Sequence, residues 1–72
     1  MNNLNVAKIQ LNGNSFEIIN GTNLNDLLNK LKIKKNKVAI EVNGTIVEKN
    51  KYENMILRKD DKVEIVHFIG GG

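Results

Sequence analysis

The chain has 72 residues, eleven Lys or Arg against eight Asp or Glu for a formal charge of +3, one histidine and no cysteine. This length predicts one domain, residues 1–72, with a small core, and the lack of cysteine excludes disulfides, thiolate metal sites and a cysteine nucleophile. The start is polar and no long apolar run follows, so we expect a cytosolic protein without a signal peptide or a membrane span.

The first half of the chain predicts a β-hairpin followed by one helix. Ala7 to Leu11 and Phe16 to Ile19 alternate like strands, and Asn12-Gly13 between them is a strong hairpin signal. Thr22 is the predicted N-cap of a helix over about Asn23 to Lys32. Four leucines at helical spacing form one apolar stripe, which is typical of a core-facing helix and less often of a partner-binding one: Leu24, Leu27, Leu28 and Leu31.

The second half predicts three more strands. Val38 to Val42 and Thr45 to Val47 flank a second turn at Asn43-Gly44, and Lys62 to Phe68 is the last strand. The segment Glu48 to Met55 is polar and predicted to be irregular, with Tyr52 and Met55 as plugs at the edge of the core. A helix with one apolar stripe covers one face of a sheet, so we predict an α+β fold: a small mixed sheet packed on one helix.

The last strand is apolar on both of its faces. Val63 and Ile65 alternate onto one face, while Val66 and Phe68 alternate onto the other. One face is needed for the core. The second is predicted either to dock a protein, together with Ile69, or to be incidental surface.

The chain ends in three glycines, Gly70, Gly71 and Gly72. Glycine has no side chain to bury and loses the most backbone freedom when it becomes ordered. We therefore predict a slender, flexible arm that carries the terminal carboxylate roughly 10 Å beyond the strand. The competing interpretation is a frayed end or a remnant of cloning.

A basic run lies between the helix and the third strand, over Lys30 to Lys37. A nucleic-acid-binding protein would use such a run to neutralise phosphates, whereas lysines also suit the C-terminal end of a helix. The chain has only three aromatic residues on which bases could stack, Phe16, Tyr52 and Phe68. We therefore expect no nucleic-acid partner.

Two stretches and the helix resemble a known family. Val38 to Val47 and Asp61 to Gly72, with the helix from Thr22 to Leu31, resemble the ubiquitin-like β-grasp proteins and, more closely, the sulfur carrier proteins of thiamin biosynthesis, the ThiS type. The run His67-Phe68-Ile69 before the glycines is the more specific part. Glu48 stands where such proteins commonly have Pro, and Asp60-Asp61 where they have Gly-Asp.

The resemblance implies a carrier that is the substrate of enzymes and is not itself an enzyme. An adenylyltransferase related to ubiquitin-activating enzymes would use ATP to activate the Gly72 carboxylate. A sulfur donor such as a cysteine desulfurase would then convert it to a thiocarboxylate for a thiazole synthase. Gly70 and Gly71 would form the arm, Val66, Phe68 and Ile69 would dock the partner, and the carrier itself would bind no cofactor and no metal.

Three other functions are compatible with the same residues. The chain could be the carrier subunit of molybdopterin synthase, a modifier conjugated to lysines through Gly72, or a basic RNA-binding β-grasp module. His67 has no acidic or nucleophilic residue at motif spacing, so a structural or docking role is predicted for it over a catalytic one.

Overall fold

The computed structural model describes residues 5–69. Five strands and one α-helix follow one another as β1 (Val6–Leu11), β2 (Asn14–Ile19), α1 (Leu24–Leu31), β3 (Val38–Val42), β4 (Thr45–Ile46) and β5 (Lys62–His67), with short 3-10 helices at Lys35–Lys37 and Lys49–Asn54. The strands form one sheet in the order β2-β1-β5-β3-β4. β1 and β5 are parallel at its centre, and the other neighbours are antiparallel. The mixed sheet and its single helix confirm the predicted α+β architecture.

Both predicted hairpin turns are present and use the same backbone geometry. Asn12 and Gly13 have φ of 49° and 85°, and Asn43 and Gly44 have φ of 53° and 86°. Two consecutive residues with positive φ are what a two-residue type I′ turn requires, and Asn-Gly is the pair that adopts it most readily. The turn residues therefore set the register of β1 on β2 and of β3 on β4.

The helix begins one residue later than the cap predicted from the sequence. Asn23, and not Thr22, is the N-cap: its Oδ1 accepts from the Asp26 N–H at 2.8 Å, and Asp26 Oδ2 accepts from the Asn23 N–H at 3.3 Å. Asn23 has a carboxylate three residues on and can form this reciprocal box, whereas Thr22 has Asn25 there. The Thr22 hydroxyl instead donates to the Ile19 carbonyl and closes the preceding turn.

The core lies between the helix and one face of the sheet. Leu24, Leu27 and Leu28 are buried there, which confirms the core reading of the leucine stripe, and Leu31 is half-buried beside them. The strands contribute Ala7, Ile9, Ile18, Val38, Ile40, Val42, Val63 and Ile65.

The segment Glu48 to Met55 is not irregular as predicted, because Lys49–Asn54 forms a 3-10 helix. Its Tyr52 is fully buried and Met55 is half-buried, so both predicted plugs are confirmed. Burial raises the pKa of the Tyr52 hydroxyl, which has no hydrogen-bond partner among residues 5–69. The need to bury this ring orders a stretch that is otherwise polar.

The last strand ends at His67, one residue earlier than predicted, and β4 ends at Ile46 instead of Val47. The Phe68 N–H nevertheless donates to the Lys37 carbonyl at 2.9 Å, so the chain stays attached to the sheet one residue further. Val63 and Ile65 are buried while Val66 and Phe68 are exposed, which confirms the predicted alternation. Within residues 5–69, no helix has the length and apolar character needed to cross a bilayer.

Candidate functional site

The site predicted from the sequence lies where β5 ends. β5 begins between two neighbours, since Lys62 and Val63 pair with β1 on one side and Val63 pairs with Val42 of β3 on the other. β1 stops at Leu11, whereas β3 accompanies β5 as far as the pair of Val38 with His67. The second half of β5 therefore has a strand neighbour on one side only.

Beyond the last β1–β5 pair, the Asn12 side chain provides the hydrogen bonds that a further residue of β1 would make to β5. The Ile65 N–H donates to Asn12 Oδ1 at 2.7 Å, and Asn12 Nδ2 donates to the Ile65 carbonyl at 3.2 Å. A carboxamide has one acceptor and a donor group in the arrangement of a peptide unit, so it can substitute for the next residue of a strand. This bridge secures the middle of β5 at the point where its main-chain partner turns away.

Asn43, in the other Asn-Gly turn, has the matching role at the start of β5. Its Oδ1 accepts from the Lys62 N–H at 2.9 Å, and its Nδ2 donates to Asp61 Oδ1 at 3.0 Å. Each turn asparagine thus bonds to a different part of the terminal strand. Sequence analysis identified both residues as turn formers but missed these bridges, because no local pattern encodes them.

The end of β5 exposes apolar side chains: Val66 lies on the sheet face that α1 does not cover, and Phe68 and Ile69 follow the strand. Val66, Phe68 and Ile69, which we call the terminal patch, are 58%, 57% and 98% exposed. Val66 lies opposite Ala39 of β3 on this outer face. The structure therefore brings together the three residues for which docking was predicted, immediately before the glycines.

Lys49 lies against the terminal patch from the neighbouring edge of the sheet. Its Nζ donates to the Val38 carbonyl at 3.0 Å and lies 5.3 Å from the centroid of the Phe68 ring. An ammonium at this distance from an aromatic face is attracted by the ring quadrupole. Sequence analysis missed Lys49, because only the pairing of β3 with β5 brings it close to Phe68.

The remaining predicted site residues are placed as follows. Gly70, Gly71 and Gly72 lie outside the described residues. His67 is exposed, and its side chain makes no hydrogen bond to another residue in the described part of the chain. Within that same part, no three His, Cys, Asp or Glu side chains are grouped so that they could hold a metal ion.

Two shallow clefts, of about 400 and 500 Å³, are lined by residues outside β5. The first is formed by the end of β2 and the helix, and Asp26 and Lys30 are its charged residues. The second lies at the C-terminal end of the helix and contains Lys34 and Lys35. Neither arrangement pairs a nucleophile with a base, so the end of β5 is the site with the clearest chemical meaning.

Comparison with known sequences identifies the family. A sequence model of the ThiS family matches residues 9–72, from the middle of β1 through the last glycine. The chain belongs to the ThiS family. The match includes all three glycines, Gly70, Gly71 and Gly72.

Individual relatives of this ThiS-family chain differ in length and in printed name. A thiazole synthase from Magnetococcus marinus is 45% identical over 65 residues, but this chain spans only 20% of that protein. The sulfur carrier protein ThiS from Bacillus subtilis is 37% identical over 65 residues, with 89% of this chain and 98% of that protein covered. An uncharacterized protein, ycf40, from Porphyra purpurea is 36% identical over the full length of both chains.

Solved structures agree with the family assignment. The crystal structure of the thiamine biosynthesis protein (ThiS) from Geobacter metallireducens matches with a TM-score of 0.79 and 28% identity, over 90% of this chain and 99% of that one. The solution structure of a thiamine biosynthesis protein from the same organism matches with a TM-score of 0.74 at 28% identity, over 90% of this chain and 87% of that one. The ubiquitin-like β-grasp fold implied by the resemblance is confirmed.

The two departures from the family pattern retain the backbone geometry of the residues they replace. Glu48 has φ of −70°, which is the value that a proline ring imposes. Asp60 has φ of 69°, in the left-handed region that glycine adopts without a steric penalty and that aspartate tolerates. Both positions lie outside the terminal patch, so neither substitution alters the site.

Proposed function

We propose that this chain carries sulfur as a thiocarboxylate on Gly72 for the formation of a thiazole in thiamin biosynthesis. A partner adenylyltransferase uses ATP to convert the Gly72 carboxylate to an acyl-adenylate. The outer sulfur of a persulfide on a sulfur donor, such as a cysteine desulfurase, then attacks the activated carbonyl and releases AMP. A thiol cleaves the S–S bond of the resulting acyl disulfide and is itself oxidised to a disulfide, which leaves the Gly72 thiocarboxylate to deliver its sulfur to a thiazole synthase. The chain acts as the substrate in each step and binds no cofactor of its own.

The observation that carries this proposal is the family match, which extends through Gly72, the residue proposed to carry the sulfur. The names of two relatives support it. The Bacillus subtilis relative is called a sulfur carrier protein, and the Magnetococcus marinus relative, of which this chain spans 20%, is called a thiazole synthase. A carrier-like segment within a thiazole synthase is the arrangement expected if the two act on the same sulfur.

The chemistry of the chain is compatible with this role. A carboxylate is a poor electrophile, and adenylation supplies the leaving group that lets a sulfur nucleophile displace AMP. Glycine has no Cβ that would obstruct attack on the activated carbonyl or block a narrow channel. The chain has no cysteine, so the C-terminus is the one place where it could hold sulfur covalently.

The terminal patch is the proposed docking surface for the adenylyltransferase. Three exposed apolar side chains lie immediately before the glycines: Val66, Phe68 and Ile69. Apolar side chains that are exposed together mark protein-interaction sites. Contact there would fix the origin of the arm relative to the partner's active site. The Lys49 ammonium lies over the Phe68 ring and restricts the orientations of that ring, which lowers the entropy cost of binding the partner.

The proposal is tested by intact-mass spectrometry of the full-length chain after incubation with the adenylyltransferase, ATP and a sulfur source. The expected product is the mass of the chain with one oxygen replaced by sulfur. It should form only when ATP is present, because a carboxylate that has not been adenylated has no leaving group for the sulfur nucleophile to displace. A reaction without ATP is the matched control.

Other products would identify the competing functions. A ladder of high-mass conjugates would show a modifier that is joined to lysines. Transfer of the sulfur to a molybdopterin precursor, but not to the thiazole synthase reaction, would show the carrier subunit of molybdopterin synthase. An unchanged mass under all conditions would refute the sulfur-carrier proposal.

A further inference from the structure

Five of the eleven Lys and Arg residues lie in the two segments that contact the end of β5, which are residues 32–37 and the start of the second 3-10 helix. The lysine cluster consists of Lys32, Lys34, Lys35, Lys37 and Lys49. The Lys37 carbonyl accepts from the Phe68 N–H at 2.9 Å, and Lys49 Nζ lies over the Phe68 ring. All five residues are exposed. Positive charge is therefore concentrated beside the terminal patch.

The opposite end of the domain carries charges of both signs. Asp60 and Asp61 form the turn into β5, and the Asp60 N–H donates to the Lys8 carbonyl at 2.8 Å. Arg58, Lys59 and Lys62 flank these two aspartates. Residues 32–37, by contrast, contain four lysines and no acidic residue.

The two aspartates at the start of β5 are too far away to neutralise the lysine cluster. From Asp61 to Phe68 the chain is extended over seven residue steps, and at about 3.3 Å per step this is roughly 23 Å. The screening length at physiological ionic strength is about 8 Å. A partner at the end of β5 therefore encounters the lysine cluster without compensation from Asp60 and Asp61.

The usual explanation of such lysines, complementing a helix dipole, accounts for only part of the cluster. Lys32 is the C-cap of α1 and benefits from the negative end of the helix. Lys35 and Lys37 lie beyond the helix in a 3-10 helix, and Lys49 lies at the sheet edge. The effect of a helix dipole decays within the last turn, so it does not explain the positions of these three lysines.

We propose that the lysine cluster steers the arm into a partner whose channel is rimmed by acidic side chains. The inference rests on the proposed function and adds the chemistry of the partner surface: carboxylates around an apolar seat for the terminal patch. Complementary charge raises the association rate and rejects wrongly oriented encounters. Because the opposite end carries charges of both signs, it offers an acidic partner surface no comparable attraction.

The side chains beside the lysine cluster favour a protein partner over RNA, because most of them are aliphatic and few are aromatic. Phe68 is the one aromatic side chain beside the cluster among residues 5–69, and its ring already contacts Lys49. Single-stranded RNA binding combines a basic groove with several aromatic platforms. The exposed aliphatic side chains of Val66 and Ile69 instead suit an apolar protein surface.

The test compares two double variants with the same change in net charge. Lys35→Gln/Lys37→Gln removes two charges from the cluster, and Lys8→Gln/Lys59→Gln removes two exposed charges from the opposite end, where the charge is mixed. Association with the adenylyltransferase is followed by stopped-flow at ionic strengths of about 0.01 M and about 1 M, where the screening length is about 30 Å and 3 Å. Melting temperatures and thiocarboxylate formation are measured on the same samples.

We expect the cluster variant to associate about tenfold more slowly at low ionic strength, which is the lower limit of the range for electrostatic steering. The control variant should associate as fast as the wild type or faster, and at high ionic strength all three should converge. Equal rates for both variants at low ionic strength, with normal sulfur loading of the wild type, would overturn the inference while leaving the proposed function intact. So would cluster-dependent binding to an unstructured RNA with unchanged partner association.

Discussion

The two halves of β5 belong to one short strand but have opposite surroundings. In the first half, Val63 and Ile65 are 0% and 7% exposed, and the backbone is held on both sides by β1, β3 and the two turn asparagines. In the second half, His67 is exposed although it alternates onto the same face as Ile65, and only β3 accompanies the chain. The change occurs within one residue, at Ile65, where the Asn12 bridge ends.

Because of this difference, the residues of β5 that stabilise the fold are not the residues that are exposed for contact with a partner. A small domain has little stability to lose, so residues used for contact must contribute little to the core. The first half of β5 fixes the strand in the centre of the sheet, and the second half extends that rigidity to the edge of the domain. A residue in the second half can then be specialised for a partner without unfolding the protein.

The largest difference between the two halves should appear in the free energy of unfolding when one side chain in each half is truncated. Ile65→Ala should lower the free energy of unfolding by about 2–5 kcal/mol, because it leaves a cavity in the core. Phe68→Ala removes an exposed ring and its contact with Lys49, so it should cost about 1 kcal/mol or less. Urea denaturation of both variants measures these values.

The same two variants should differ in the opposite sense in activation. Phe68→Ala should remain folded but lose activation by the adenylyltransferase, because the terminal patch has lost its largest side chain. Ile65→Ala, assayed below its melting temperature, should retain most of its activation. If Phe68→Ala is activated like the wild type, the terminal patch is not the docking surface.

A smaller effect is expected from the two turn asparagines. Glycine accommodates the positive φ of Asn12 and Asn43, so Asn12→Gly and Asn43→Gly keep the turns and remove only the side-chain bridges. Each loss should cost about 1 kcal/mol, the net value of a typical hydrogen bond, and more where a group is left unsatisfied. Equilibrium denaturation provides the comparison.

Amide hydrogen exchange distinguishes the two bridges. In Asn12→Gly the Ile65 amide loses its acceptor and should exchange faster than in the wild type, whereas in Asn43→Gly the Lys62 amide should do so. Each variant serves as the control for the other. Uniform acceleration along all of β5 in both variants would show that the strand responds as a whole and that its halves are not separate.

Local sequence patterns were sufficient for most of the fold. Alternating apolar residues, two Asn-Gly turns and one leucine stripe each specify a local structure, and together they leave a mixed sheet on one helix as the consistent arrangement. The N-cap was assigned wrongly because Thr22 and Asn23 are adjacent capping residues. Only the carboxylate of Asp26 distinguishes them, by forming the reciprocal box with Asn23.

The candidate site was predictable in part. The two-faced apolar pattern of the last strand identified Val66 and Phe68, and the structure confirms that both are exposed. Asn12 and Lys49 could not be found, because their contacts join residues 53 and 19 positions apart that only the strand pairing brings together. The position of the lysine run beside the end of β5 likewise appears only once the antiparallel pairing of β3 with β5 is known.

The central claim is that the domain exists to place one carboxylate at a fixed distance from its edge, and the length of the arm tests it most directly. Deleting Gly72 moves the terminal carboxylate back by roughly 3.5 Å, and adding one alanine after Gly72 moves it forward by a similar distance. A misplacement of about 1 Å can cost on the order of 10²-fold in rate. Neither change affects the core, so all three chains should have the same melting temperature.

The decisive measurement is the rate of thiocarboxylate formation for the wild type, the deletion and the extension, followed by intact-mass spectrometry with the adenylyltransferase, ATP and a sulfur source. The account predicts that the wild type acquires sulfur while both variants do so at least about 10²-fold more slowly, with unchanged melting temperatures. Similar rates for all three chains would contradict it, since the position of the Gly72 carboxylate would then not determine function.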